Sequence, residues 1–161
     1  MGFKPLWTPW RGVLRRKRDE GCVFCLLPKE TDDKKNLILY RGQRNFVILN
    51  KFPYTCGHLM VVPFRHTAEI SGVEKADWVE MMELMQHSEA ALREGYRPEG
   101  INLGMNMGAA AGAGIKEHLH LHVVPRWTGD SNFLPLMSGS KPLPQTLQET
   151  FDLLHPIFRR L

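Results

Sequence analysis

His118-Leu119-His120-Leu121-His122-Val123-Val124 alternates imidazoles with aliphatic side chains at a spacing of two. Successive side chains of a β-strand point to opposite faces. The spacing therefore predicts a strand over 118–124, with three histidines on one face and Leu119, Leu121 and Val123 on the other, toward a core. Strand interiors favour β-branched and aromatic residues, so packing alone does not account for three imidazoles on one face. Two chemistries do. Histidines two apart can share a catalytic zinc, or one neutral imidazole can attack phosphorus while its neighbours donate hydrogen bonds to the phosphate. Four residues upstream of His118 ends the run Gly108-Ala109-Ala110-Ala111-Gly112-Ala113-Gly114. Such small side chains let backbone N–H groups approach an anion closely. The run is neither a Walker loop nor a dinucleotide fingerprint, and it favours the phosphorus reading.

Outward from this stretch, the pattern predicts an α+β domain. Leu37–Tyr40 and Phe46–Leu49 read as short strands around a Gly-Gln turn, and His58–Val62 reads as a third strand ended by Pro63. Ser71 with Glu74 three residues on has the form of a capping box opening a helix. In that helix Trp78, Met82, Met85 and Leu92 share one face, and Gly95 is placed to end it. Ile101–Met107 is a fourth strand. Leu143–Phe158 is a C-terminal helix with Leu147, Phe151, Leu154 and Phe158 in one stripe and Pro156 placed to bend or shorten it. Strands, helix, strands and helix again give a mainly antiparallel five-stranded sheet with one long central helix and a C-terminal helix. All 161 residues are read as one domain, with 1–21 an irregular arm and 139–161 a C-terminal extension.

Composition bounds the function classes. The hydrophobic content of 43% suits a globular protein, and the longest apolar run is far short of a membrane span. Arg11 and the Arg15–Arg18 run interrupt any signal-peptide core, so the cytoplasm is the expected compartment. Three cysteines in such a chain argue against a disulfide framework. Residues 1–20 carry six basic and two acidic side chains, a surplus equal to the net charge of +4 for the whole chain. Such an arm suits solubility, or contact with an anionic partner.

The triad and its surroundings resemble the histidine-triad superfamily, whose motif alternates histidine and apolar residues as at His118–Val124. Asn50, Gly57-His58-Leu59-Met60-Val61-Val62-Pro63 and Asn106 before the small-residue loop extend the resemblance. Within the superfamily the chain is most similar to bacterial diadenosine tetraphosphate phosphorylases. That likeness rests on Leu6-Trp7-Thr8-Pro9-Trp10-Arg11, Asn102-Leu103-Gly104 and His122-Val123-Val124-Pro125-Arg126-Trp127 into Gly129-Asp130. It continues through Asn132-Phe133 and Gly139-Ser140-Lys141. The resemblance implies a histidine-triad fold and nucleotidyl transfer through a covalent nucleotidyl-histidine. Phosphorolysis of diadenosine tetraphosphate to ADP and ATP is the expected reaction, with nucleotide hydrolysis or phosphoramidase action as the alternative. His120 would be the nucleophile and His122 a donor to a phosphate oxygen. Asn106, Gly112, Ala113 and Gly114 would hold phosphates, Asn50 would meet the ribose, and Ile48 and Met60 would sandwich the base. Inorganic phosphate is the expected acceptor, no organic cofactor is implied, and relatives assemble as homodimers or larger homo-oligomers. Many relatives carry Gln or Ser where Gly114 stands, so a side-chain contact to the leaving phosphate is missing here or supplied elsewhere, with Ser140 and Lys141 as candidates.

Cys22-Val23-Phe24-Cys25 is a Cys-x-x-Cys knuckle, which reads as half a zinc site or a redox pair. No thioredoxin-like pattern surrounds it. A closed zinc site takes four ligands, and the family resemblance implies His66 and His118 as the completing pair. That gives a structural zinc on Cys22, Cys25, His66 and His118, and leaves Cys56 as a small thiol with no role. A reading of a different class also stands: a non-catalytic nucleotide- or nucleic-acid-binding zinc module, using the basic arm with Trp7 and Trp10 as stacking aromatics.

Overall fold

In the computed structural model, residues 21–130 and 143–160 are described. The basic arm, Asn132-Phe133 and Gly139-Ser140-Lys141 lie outside them. Five strands form one antiparallel sheet: β1 Ile38–Arg41, β2 Asn45–Leu49, β3 Leu59–Pro63, β4 Gly100–Met105 and β5 Leu121–Arg126. Their spatial order is β1-β2-β3-β5-β4. Ahead of the sheet lie a one-turn helix α1 Val23–Leu26, a 3₁₀ turn Leu27–Lys29 and a second short helix α2 Asp33–Asn36. The long helix α3 spans Lys75–Tyr96, and α4 spans Leu147–Phe158. The α+β expectation holds.

Period-two alternation divides the sheet between two apolar clusters. Leu39, Val47, Leu49, Leu59, Val61, Leu121 and Val123 face α3 and α4, where they meet Met81, Leu84, Leu92, Phe151, Leu154 and Phe158. Ile38, Phe46, Ile48, Met60 and Val62 point to the opposite face and are covered by Phe24 from α1. This second face carries the candidate site. The tight turn between β1 and β2 is tied to α3, because Glu80 accepts from the Gln43 and Arg44 amides at 2.7 and 2.8 Å.

Several local expectations are corrected. The fifth strand begins at Leu121, not His118. The β3–β5 ladder stops at the Val61–Leu121 pair, and β3 closes on Pro63, which has no N–H to continue it. The Pro63 carbonyl is taken instead by the His118 side chain at 2.8 Å, and the Leu119 N–H bonds to the Thr67 carbonyl at 2.6 Å. Ser71 caps nothing: it sits in a 3₁₀ turn, Ile70–Gly72, and α3 begins at Lys75 without a side-chain cap. The deepest stripe of α3 is Asp77, Met81, Leu84, Ser88, Ala91 and Leu92, whereas Trp78, Met82 and Met85 flank the core. Asp77 can be buried because Arg44 and Arg65 pair with its carboxylate at 2.9 and 3.5 Å. Gly95 does not end α3. It lets α4 approach, since a Cβ there would stand 3.1 Å from Leu154 Cδ2. The reciprocal capping box belongs to α4, where Thr146 and Glu149 exchange bonds. That helix starts at Leu147, later than expected, and runs through Pro156 to Phe158.

Leu154 is fully buried between α3 and the sheet. Leu154→Ala is expected to cost about 3 kcal/mol by denaturant unfolding, whereas Val79→Ala, 47% exposed, should shift stability by less than about 0.5 kcal/mol.

Candidate active site and metal centre

His118, His120 and His122 are all buried and lie on the α1 face, as the alternation predicts, although only His122 belongs to the strand. The rings form a chain: Phe24 stands 5.5 Å from His118 and 5.2 Å from His120, and His120 stands 4.8 Å from His122. A row of paired residues runs across the sheet through Ile38, Ile48, Met60, His122 and Gly104. Ile48 and Met60 thus form a buried apolar floor beside His122.

Hydrogen-bond partners decide where each proton sits. A carbonyl oxygen only accepts. His118 Nε2 is 2.8 Å from the Pro63 carbonyl, so it carries the proton and Nδ1 keeps its lone pair. His120 Nδ1 is 2.8 Å from the His118 carbonyl, so the proton is on Nδ1 and the lone pair on Nε2. Burial pushes His118 and His122 down to about 4 and also lowers His120. All three rings are therefore neutral near pH 7, and His120 presents a nucleophilic nitrogen.

Sequence reasoning missed two residues. His58 is 1% exposed, and its Nε2 is 2.9 Å from His122 Nδ1. Phe24 fills the space between the knuckle and the triad. The signals were present: His58 sits two residues from Met60 in the same strand pattern, and Phe24 is the one large side chain inside the knuckle.

The other expected site residues are found as follows. Asn106 follows β4, one position beyond the Met105–Leu121 pair. Asn50 is half-buried. Its Oδ1 accepts from the Phe52 amide at 2.9 Å, and its Nδ2 lies 3.4 Å from both His58 ring nitrogens. The small-residue loop is exposed apart from a half-buried Ala113. A Cβ at Gly108, Gly112 or Gly114 would meet nothing within 4 Å. Two of the expected phosphate donors are used inside the loop: the Gly112 N–H bonds to Ala109 and the Ala113 N–H to Gly108. The Gly114 N–H has no hydrogen-bond partner among the described residues.

Cys22, Cys25, His66 and His118 come together, with their ligand atoms within 4.8 Å of one another. His118 Nδ1 is 3.3 Å from Cys22 Sγ, 3.5 Å from Cys25 Sγ and 3.3 Å from His66 Nδ1. Cys25 Sγ is 3.3 Å from His66 Nδ1. Ligands about 2.0–2.3 Å from a tetrahedral zinc stand roughly 3.3–3.8 Å apart, so this donor set fits the metal. Burial, and then the neighbouring Cys22, raise the Cys25 thiol above its ordinary value. A cation would offset that cost and hold both sulfurs as thiolates. The metal position and the triad share His118.

The fold and this site define a class. The chain matches the HIT domain family over residues 31–129. It is 39% identical to an AP-4-A phosphorylase of Mycobacterium tuberculosis, over 92% of this chain and 81% of that one. It is 25% identical to a bis(5'-adenosyl)-triphosphatase of Dictyostelium discoideum, over 58% of this chain and 62% of that one. Among solved structures, it resembles a zinc-bound histidine triad family protein of Mycobacterium smegmatis with a TM-score of 0.69, at 29% identity, over 88% of this chain and 95% of that one. The chain belongs to the HIT domain family.

Burial of His122 has a consequence for acid stability. Its native value is about 4, against about 6.5 in an unfolded chain. The unfolded state therefore binds the proton first, and this contribution is complete above pH 6.5 and is lost as pH falls toward 4. In metal-free protein, thermal unfolding from pH 7 to 4.5 should show a steeper fall in Tm for wild type than for His122→Gln. Parallel profiles would contradict this.

Proposed function

We propose that the chain transfers a nucleotidyl group through a covalent bond to His120, and that its reaction is phosphorolysis of diadenosine tetraphosphate to ADP and ATP. One observation carries the reading: the His118 carbonyl holds the proton on His120 Nδ1 and leaves Nε2 as a buried, neutral nucleophile. In the first step the Nε2 lone pair attacks the α-phosphorus of one adenylate. An N–P bond forms, the P–O bond to the rest of the polyphosphate breaks, and ATP leaves. Positive charge on the ring is shared with the His118 carbonyl through Nδ1–H. In the second step an oxygen of inorganic phosphate attacks the same phosphorus, the N–P bond breaks, and ADP leaves with His120 restored. His122, with its Nδ1 facing His58, would turn its Nε2–H to a phosphate oxygen. Asn106 and the Gly114 amide would hold neighbouring phosphates, while Ile48 and Met60 would receive the base and Asn50 the ribose. The acceptor assignment is supported by the 39% identity to the AP-4-A phosphorylase.

Zinc on Cys22, Cys25, His66 and His118 would have a structural role: it would clamp α1 to the base of the triad, and it takes no part in either step. The cysteines are unpaired, in keeping with a reducing cytoplasm. No helix among the described residues is long and apolar enough to cross a membrane. β4 is a sheet edge whose Leu103 is 49% exposed. Such an edge suits pairing with a second copy, which supports a homodimer of single-domain chains.

Incubation with diadenosine tetraphosphate, with and without phosphate, followed by chromatography, tests the reaction. ADP plus ATP only when phosphate is present is the expected result, and His120→Gly should lower turnover by at least about 10³-fold. AMP plus ATP without phosphate would make water the acceptor and overturn phosphorolysis. No product from any nucleotide would favour a binding module. Protein purified without chelator should hold one zinc per chain, and chelation should lower its Tm.

A further inference from the structure

We propose that Arg65 is a positioning residue for both halves of the site: by fastening the segment between β3 and α3 to Asp77 and Glu74, it holds His66 at the metal position and the Thr67 carbonyl at the Leu119 amide, inside the triad. This inference rests on the reading of Cys22, Cys25, His66 and His118 as a zinc site, which it deepens.

After Pro63 the chain leaves the sheet and reaches α3 through residues 64–74. Phe64 turns back to the α1 side, where its ring stacks on Phe46 at 5.2 Å. His66 Nδ1 stands 3.3 Å from both Cys25 Sγ and His118 Nδ1. The Thr67 carbonyl accepts from the Leu119 N–H at 2.6 Å, and the Pro63 carbonyl accepts from the His118 side chain at 2.8 Å. The segment thus grips His118 and Leu119 at two carbonyls, with a metal ligand between them. His66 is the exposed member of the metal cluster. Burial does not hold it in place, so its position depends on its backbone.

Arg65 ties that backbone to the helical layer. Its guanidinium meets Glu74 at 2.5 Å and Asp77 at 3.5 Å. Asp77 is 3% exposed and sits in the deepest stripe of α3 with Met81, Leu84 and Leu92. A carboxylate is costly to bury, and an apolar side chain of similar size often serves stability as well. Its partners show what the charge does instead. Arg44 takes Oδ1 at 2.9 Å and Arg65 takes Oδ2, so one buried anion fastens the β1–β2 turn and the metal segment to the same helix. The two links are not equivalent. The β1–β2 turn is also held to α3 by Glu80, through the Gln43 and Arg44 amides. Among the described residues, no other side chain of 64–67 forms a hydrogen bond or ion pair with α3. Charge alone would act on the metal in the opposite sense. A guanidinium next to a zinc ligand repels the cation, so its removal would tighten the site, whereas loss of positioning loosens it.

Arg65→Ala and Arg44→Ala each take one cation from Asp77 and leave it the other. Zinc affinity, measured by competition with a chromogenic chelator, separates them. Arg65→Ala should raise the zinc Kd about tenfold, the lower end of what loss of a ligand's outer support costs, and Arg44→Ala should leave it unchanged. Arg65→Lys, whose ammonium is a point charge that cannot span both carboxylates, should recover part of the loss. Hydrogen exchange of the Leu119 amide in metal-free protein reads the other end of the segment. Its protection should fall about tenfold in Arg65→Ala and stay at the wild-type level in Arg44→Ala. Equal losses in the two variants would overturn the proposal, as would a zinc site unchanged or tighter in Arg65→Ala, or unchanged Leu119 protection there. A wild-type chain that binds no zinc would remove the metal reading and the His66 half of the proposal with it, and the Leu119 comparison would still decide the other half.

Discussion

The hydrogen bond from His120 Nδ1–H to the His118 carbonyl, 2.8 Å long, is the constraint on which the site depends. It joins residues two apart, so it can form only where the chain leaves the ladder before β5 begins. Pro63 imposes that departure. It ends β3 without an N–H to offer, and its carbonyl draws the His118 side chain inward at 2.8 Å. A strand continued through His118 would point its carbonyl at a neighbouring strand, and His120 would lose its acceptor. His118 therefore works from three atoms at once: Nε2 anchors it to β3, Nδ1 joins the Cys22, Cys25 and His66 cluster, and its carbonyl orients the His120 ring.

Burial does the remaining electrostatic work. Removal from water penalises the charged form of each imidazole, and a charge on His120 would disfavour one on His118 or His122. The α3–α4 face of the sheet supplies rigidity through its continuous apolar cluster. The α1 face supplies a smaller cluster in which Phe24 packs against two of the three histidines. Metal knuckle and triad are thus in mechanical contact through one aromatic ring as well as through His118. The small-residue loop remains open, with room at Gly108, Gly112 and Gly114.

Much of this was legible in the sequence, for identifiable reasons. The alternation through Leu121, His122 and Val123 has a period that only a strand satisfies, so the two faces followed directly. The four metal-cluster residues were legible only through the family resemblance, because spacing says nothing about which distant histidines meet a knuckle. The stripe through Trp78, Met82 and Met85 was offset from the deepest face of α3, which includes Asp77, because the burial of that carboxylate depends on Arg44 and Arg65 from other segments. Ser71 and Glu74 had the residue types of a capping box, yet Glu74 is engaged by Arg65 and the chain turns in a 3₁₀ step instead. His58 was overlooked as a participant because its partner is 64 residues away. Loop amides were expected to be available, but two of them bond within the loop, which sequence composition does not reveal.

The proposed reaction requires His120 Nε2 to become covalently bonded to phosphorus. Rapid acid-free quenching of the protein with radiolabelled diadenosine tetraphosphate in the absence of phosphate, followed by peptide mapping, tests it most directly. The expected product is an adenylate attached to the peptide containing His120, stable to base and lost in mild acid as a phosphoramidate is, and discharged to ADP when phosphate is added. Turnover without any protein-bound label on the shortest quenching times, or label on a different residue, would contradict it.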